Sequence, residues 1–211
     1  MRQGYLHTNP CHDVERPTKQ RRERLITDAE FLSVYGRAGP MVKRAMTLAM
    51  RTLDLPADLY AMGPRNIVRL PDGRRLLRYE RSKIKGALVE IEVLGELAKV
   101  IDDALPEKIV CETFVHKRNG KAFTRDGLGA MFRRHCVGSP THPVDPVIAD
   151  FGLRDLRAKG ATEMYRANRD AIHRVQLLLG HKSVRTTEIY LKGLVPETAQ
   201  PNEQPVLSQF N

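Results

Sequence analysis

The chain has 211 residues, of which 41% are hydrophobic, and it carries a formal net charge of +10. This length fits one large domain with flanking tails, and the positive charge favours a polyanionic partner, nucleic acid before a membrane surface. No apolar run reaches about 18 residues, which excludes a membrane-spanning helix, and the first residues lack the apolar core of a signal peptide.

The three cysteines, Cys11, Cys111 and Cys136, are far apart and odd in number. A disulfide framework is therefore not expected, and the cytoplasm is the natural compartment. The pairs Cys11-His12 and His135-Cys136 lack the paired spacing of known zinc sites, so we predict no metal site.

The sequence begins with a polar, basic segment over residues 1–26, which we interpret as a linker or arm. Thr27 and Glu30 then form a capping box, which predicts a helix over 28–35. Apolar periodicity, bounded by Pro and Gly, predicts six further helices. These lie over residues 41–53, 58–62, 93–105, 125–136, 153–167 and 172–179.

Between the early and late helices the pattern changes to short extended runs. Residues 67–70, 75–79 and 87–93 predict a three-stranded antiparallel meander, with a basic tip over 81–86. Residues 109–110 and 113–115 predict two more short extended segments, and 138–150 a loop. The predicted fold class is therefore α+β and mostly α-helical, with helices around a small three-stranded antiparallel sheet.

The most informative stretch is Leu177 to Leu191, where an apolar helix end meets Gly180, a typical helix-stopping residue. His181 follows, then a short polar helix, and Tyr190 comes nine residues after the histidine. This spacing resembles the C-terminal box of the tyrosine recombinases, the phage integrase family. The resemblance implies that Tyr190 is a nucleophile that attacks DNA, and that His181 contacts the scissile phosphate and assists proton movements.

A second stretch, Phe151 to Thr162, is similar to the family's His-x-x-Arg box. Arg157 falls on the family's second catalytic arginine, and an arginine suits two phosphate oxygens. Arg154 stands where the family usually has histidine, and it can hold a phosphate but is a poor proton shuttle.

Two further family positions lie earlier in the chain. The general acid for the leaving 5′-hydroxyl corresponds to Lys83 in the hairpin tip, with Lys85 as the alternative. The first catalytic arginine corresponds to Leu55, which cannot bind a phosphate. Arg51 lies four residues earlier, one helical turn back on the same face, and is the candidate substitute. Without it, weakened or lost catalysis is expected.

The resemblance covers residues 27–192 and implies a tyrosine recombinase catalytic domain. Residues 1–26 would be the remnant of an N-terminal DNA-clamping domain, and residues 193–211 a C-terminal tail. The implied activity is site-specific recombination, as in integration of phage or other mobile elements, through a 3′-phosphotyrosine without ATP, metal or other cofactor. The implied partner is double-stranded DNA, held by a homo-tetramer that is monomeric without DNA, in a bacterial or phage cytoplasmic setting. Candidate DNA-backbone contacts are Lys85, Lys182, Ser183, Arg185, Thr186 and Thr187.

The sequence is compatible with two other functions. Leu55, Arg154 and the missing N-terminal domain favour a catalytically degenerate integrase remnant that binds DNA without cutting it. A non-recombinase helical protein whose basic charge serves RNA or another acidic partner is the third hypothesis.

Overall fold

The computed structural model describes residues 24–83, 86–105 and 111–192. Within these ranges eight α-helices accompany one three-stranded sheet, and the predicted mostly helical α+β fold is confirmed. The helices are α1 (Asp28–Arg37), α2 (Pro40–Thr52), α3 (Pro56–Ala61), α4 (Gly95–Asp102), α5 (Arg125–Val137), α6 (Leu153–Ala167), α7 (Ile172–Leu179) and α8 (Val184–Lys192). The strands are β1 (Ile67–Arg69), β2 (Arg75–Glu80) and β3 (Leu88–Glu92).

Helix α1 begins where the sequence predicts it. The Thr27 hydroxyl accepts from the Glu30 amide at 3.2 Å, and the Glu30 carboxylate accepts from the Thr27 amide at 2.9 Å. Both exchanges of a capping box are therefore present, which satisfies backbone donors that the first helical turn leaves unpaired.

The predicted antiparallel meander is also confirmed, with β2 in the centre of the order β1-β2-β3. Leu77 pairs with Ile67 on one side and with Ile91 on the other. Along β2 and just beyond it, the side chains of Leu77, Tyr79 and Arg81 are buried while the residues between them are exposed. Because strand side chains alternate between faces, this period of two directs Arg81 into the protein.

The core is centred on α2, whose predicted apolar face is completely buried. The residues on this face are Val42, Ala45, Met46 and Ala49. Helix α6 approaches α2 so closely that a Cβ atom at Gly160 would lie 2.5 Å from the Met50 carbonyl oxygen. The glycine is therefore a packing requirement of the α2–α6 contact.

We expect Gly160→Ala to lower the free energy of unfolding by about 1–3 kcal/mol, because the added methyl group overpacks the contact. Gly129→Ala in α5 is the matched control, since a Cβ there meets nothing within 4 Å. Denaturant unfolding of the two variants measures the difference, and equal stabilities would contradict the packing argument.

Some sequence predictions differ from the structure. Residues 113–115 form bends instead of an extended segment, because the only ladder contact in this stretch is one isolated bridge between His116 and Ala122. The predicted segment 109–110, most of the arm and the tail lie outside the described residues. No helix within the described ranges is long and apolar enough to cross a bilayer.

Candidate active site

The candidate site lies around the C-terminal end of α7. Gly180 adopts a left-handed conformation with φ +65°, and its amide donates to the Gln176 and Leu177 carbonyls. A glycine fits this helix-ending position because it has no Cβ penalty there. The chain turns away at this point, so His181 leaves the helix axis.

Arg157, on the second turn of α6, holds this helix end from one side. Its guanidinium donates to the Leu179 carbonyl and to the Leu53 carbonyl, each at 2.7 Å. Burial lowers the pKa of Arg157, and the positive charge of Arg81 lowers it further, while Tyr190 raises it. Arg157, Arg81 and Tyr190 are therefore close enough to influence one another, and the arginine stays charged at any physiological pH.

Arg81 holds the same helix end from the sheet, and the sequence prediction missed it as a site residue. It donates to the Leu178 carbonyl at 2.6 Å, and its other terminal nitrogen lies 3.0 Å from the Asp54 carboxylate. Asp54 also accepts from the Tyr79 hydroxyl. Burial raises the pKa of Asp54 to about 6, against the lowering effects of Tyr79 and Arg81. The alternation Leu77, Tyr79, Arg81 is the sequence signal that could have placed Arg81 inside.

His181 lies between Tyr190 and a buried hydroxyl. Its Nδ1 is 2.9 Å from the Thr187 hydroxyl oxygen, and Thr187 is fully buried. Its ring meets the Tyr190 ring edge-on, with centroids 5.8 Å apart and planes at 77°. The structure therefore brings His181, Arg157 and Tyr190 together, as the sequence predicts.

The surroundings of His181 favour the neutral form of its imidazole. Burial lowers the pKa of His181, and the positive charges of Arg157, Arg81 and Lys83 lower it further. A neutral ring with Nδ1 on a hydroxyl can accept a proton, or donate a hydrogen bond, through the other nitrogen.

We therefore expect the His181 imidazole to titrate below pH 6.5 in the folded protein and near 6.5 in urea. Between these values the unfolded chain binds more protons, so this residue makes the protein more stable as pH rises through the window. NMR titration, assigned with His181→Gln, measures both values. A folded-state value at or above 6.5 would contradict the charge arrangement.

Tyr190 is half-buried and is carried by an anchored helix. Its neighbour Leu191 is 2% exposed and packs in a small apolar cluster with Leu53, Val175 and Leu179. The cluster joins α8 to α7 and to the turn after α2, so Tyr190 is positioned by the same elements as Arg157 and His181.

Lys83 lies exposed in the β2–β3 connection, and its positive charge lowers the pKa of His181. The preceding residue, Ser82, donates its amide to the Asp58 carboxylate at 2.8 Å. Asp58, at the buried start of α3, thereby fixes the backbone next to Lys83. The alternative, Lys85, lies outside the described residues.

Arg51 is not brought to this cluster, contrary to the helical-turn argument for it. Helix α2 ends at Thr52, and Leu53 takes a left-handed conformation with φ 53°, so Arg51 and position 55 do not share a helix face. Arg51 is exposed and forms an ion pair with Glu96, with which it lines a groove near α4. The structure thus offers no support for Arg51 as a substitute arginine.

Of the predicted DNA contacts that the structure describes, four are exposed and one is buried. Lys182, Ser183, Arg185 and Thr186 are exposed around the start of α8. Arg154, which the sequence predicts as a catalytic residue, is also exposed, on the first turn of α6. Thr187 cannot contact DNA in this conformation, because it is fully buried and its hydroxyl is engaged with His181. Over the described residues, no group of three or more His, Cys, Asp or Glu side chains could hold a metal ion.

Comparison with solved structures finds the same architecture in DNA recombinases. A lambda integrase tetramer bound to a Holliday junction matches with a TM-score of 0.69 and 22% identity, over 94% of this chain and 56% of that one. The lambda integrase catalytic core matches with a TM-score of 0.58 and 24% identity, over 74% and 91%. The Tn1549 transposon integrase in complex with a circular intermediate DNA matches with a TM-score of 0.60 and 15% identity, over 91% and 66%.

The similarity to these proteins is one of structure and not of overall sequence. No protein-family model matches the chain, and no curated protein matches it in sequence. The chain spans 56 to 66% of the length of the lambda integrase chains that it matches in DNA complexes. The match to the catalytic core covers most of that smaller chain. This protein therefore has the catalytic-domain fold of the tyrosine recombinases.

Proposed function

We propose that this protein is a site-specific DNA recombinase that cuts and rejoins DNA through a 3′-phosphotyrosine at Tyr190. The observation that carries the proposal is the convergence of Tyr190, His181 and Arg157 at the end of α7. A tyrosine, a histidine whose surroundings favour the neutral form and a half-buried arginine together provide a nucleophile, a proton acceptor and a fixed cation for a phosphate.

In the proposed reaction the Tyr190 oxygen attacks a DNA phosphorus atom, and the bond from phosphorus to the 5′-oxygen breaks. The phenolic proton passes to His181, and Lys83 gives a proton to the leaving 5′-oxygen. Arg157 holds the non-bridging oxygens as negative charge builds on them. The phosphodiester energy stays in the new ester, so a 5′-hydroxyl can attack it and reseal the strand without ATP.

The proposed partner is double-stranded DNA. The chain's net charge of +10 attracts a polyanion over a long range, and the exposed Lys182 and Arg185 flank the site. One of the structural relatives is a tetramer on a Holliday junction. We propose the same assembly for this protein, with four protomers exchanging strands between two duplexes.

The second candidate function is DNA binding without cleavage. Position 55 carries an apolar side chain at the start of α3, and Arg154 stands where a proton-carrying histidine is expected. A protein of this kind would hold DNA through the same basic surface but form no covalent product.

A pool of nicked duplexes separates these two functions. Each duplex has a randomised central segment, and cleavage beside the nick releases a short 5′-hydroxyl fragment that diffuses away and prevents resealing. The recombinase proposal predicts complexes that survive denaturing electrophoresis, and sequencing of the captured DNA gives the target site. Retention of the pool on a native gel without any denaturant-resistant complex would favour the binding function and contradict the recombinase.

A further inference from the structure

Two arginines from distant parts of the chain lie side by side at the end of α7. Arg157 of α6 binds the Leu179 carbonyl, and Arg81, one residue beyond β2, binds the Leu178 carbonyl. Their other nitrogens reach the turn between α2 and α3, where Arg157 binds the Leu53 carbonyl and Arg81 pairs with Asp54. Both guanidinium groups are therefore fixed in the same small region, next to His181.

The turn between α2 and α3 provides no cation of its own. Position 55, directly after Asp54, is a leucine in extended conformation at the start of α3. Arg81 enters the same region from the sheet and pairs with Asp54, the neighbour of that leucine. A positive charge is thus present beside position 55, although another part of the chain supplies it.

One buried donor of Arg81 makes no hydrogen bond to the residues that the structure describes. Its side chain is 4% exposed, yet the Nε–H has no hydrogen-bond partner among the residues that the structure describes. This nitrogen faces Gly180, where a Cβ atom would lie only 2.7 Å away. A buried donor of a charged group without a partner is costly, and a ligand oxygen is one way to satisfy it.

The local charges favour an anion as that ligand. Arg81, Arg157 and Lys83 all act on His181, and the facing carboxylates are Asp54 and Asp58. Like charges held close together in a partly buried place repel one another unless an anion joins them. The positive groups outnumber the carboxylates, so the local charge favours binding of an anion.

We propose that Arg81 is the second arginine of the phosphate site. Its guanidinium, delivered from the end of β2, holds a non-bridging oxygen of the DNA phosphate beside Arg157 and replaces the cation that Leu55 cannot supply. This inference rests on the proposed function, because the phosphate in question is the one that Tyr190 attacks. The competing explanation is that Arg81 only neutralises the buried Asp54.

The decisive variant removes both charges of the pair at once. Arg81→Gln with Asp54→Asn keeps similar shapes and leaves no buried charge without a counterion. Arg78→Gln with Glu90→Gln is the matched control, since this ion pair joins β2 to β3 on the exposed face. Thermal unfolding establishes that each variant is folded.

Inorganic phosphate is the probe, and the His181 imidazole is the reporter. Phosphate is titrated into the full chain at constant ionic strength while the His181 NMR signals are followed. We expect the wild type and the Arg78–Glu90 control to agree within about twofold, and the Arg81–Asp54 variant to bind phosphate at least about tenfold more weakly. Arg81→Lys, which keeps a charge but loses Nε–H and the planar fork, is expected to bind at least about threefold more weakly.

Wild-type affinity in a folded Arg81–Asp54 variant, or in Arg81→Lys, would overturn the proposal and leave Arg81 a partner of Asp54 only. A wild-type His181 signal that does not respond to phosphate would overturn it as well. Strand cleavage plays no part in this titration. Failure of the Tyr190 chemistry and failure of the Arg81 proposal therefore give different results.

Discussion

Replacing Tyr190 by phenylalanine is expected to abolish covalent DNA capture while DNA binding stays within about threefold of the wild type, since binding rests mainly on phosphate contacts. Phenylalanine keeps the ring that lies edge-on against His181 and removes only the hydroxyl oxygen. No other atom of the side chain can form an ester with phosphorus. The loss is therefore complete, and capture of nicked duplexes on a denaturing gel measures it.

Tyr165→Phe provides the matched control for this substitution. Tyr165 is half-buried on α6, and its ring packs beneath the Arg169 guanidinium, 4.7 Å away. Its hydroxyl has no role in the proposed reaction, so this variant should capture DNA as the wild type does. Covalent capture by the Tyr190→Phe variant would show that another residue is the nucleophile.

Arg157→Lys is expected to slow covalent capture by about 10²–10³-fold, the usual cost of removing one stabiliser of a developing charge. Lysine keeps a positive charge, but it lacks the planar fork that donates to the Leu179 and Leu53 carbonyls and, in the proposed reaction, to a phosphate oxygen. The rate of capture at saturating DNA isolates the chemical step from binding.

Arg166→Lys in the last turn of the same helix is the control for this change. Arg166 is exposed, so its replacement should alter the rate by less than about twofold. A similar rate for the Arg157 and Arg166 variants would contradict the assignment of Arg157 to the phosphate. Thermal unfolding of both variants excludes a loss of fold as the cause.

The sequence predicts the site best where its parts lie on one local structure. Gly180 ends α7 in a left-handed conformation, and the short helix α8 carries Tyr190 back toward His181. Both features follow from residues within a single stretch. Both threonines of α8 are predicted to contact DNA, although the helical period could have separated them, because Thr187 faces inward with Leu191 while Thr186 stays exposed.

The sequence does not predict the parts of the site that depend on how one element follows or packs against another. Arg51 would lie on the same face as position 55 only if α2 continued that far, whereas the chain leaves the helix at Leu53. Arg81 pairs with Asp54 and with α7 across long separations in sequence, which no local pattern specifies. The alternation along β2 predicts that the Arg81 side chain points inward. Which residues it contacts there is visible only in the folded structure.

The most direct measurement is mass spectrometry of the covalent complex after digestion with protease and nuclease. We expect one modified peptide, in which a nucleotide is joined through its 3′-phosphate to Tyr190, and a DNA fragment with a 5′-hydroxyl end. A nucleotide on any other residue, a 5′-phosphate linkage, or an unmodified Tyr190 peptide in DNA-bound protein would contradict the proposed mechanism.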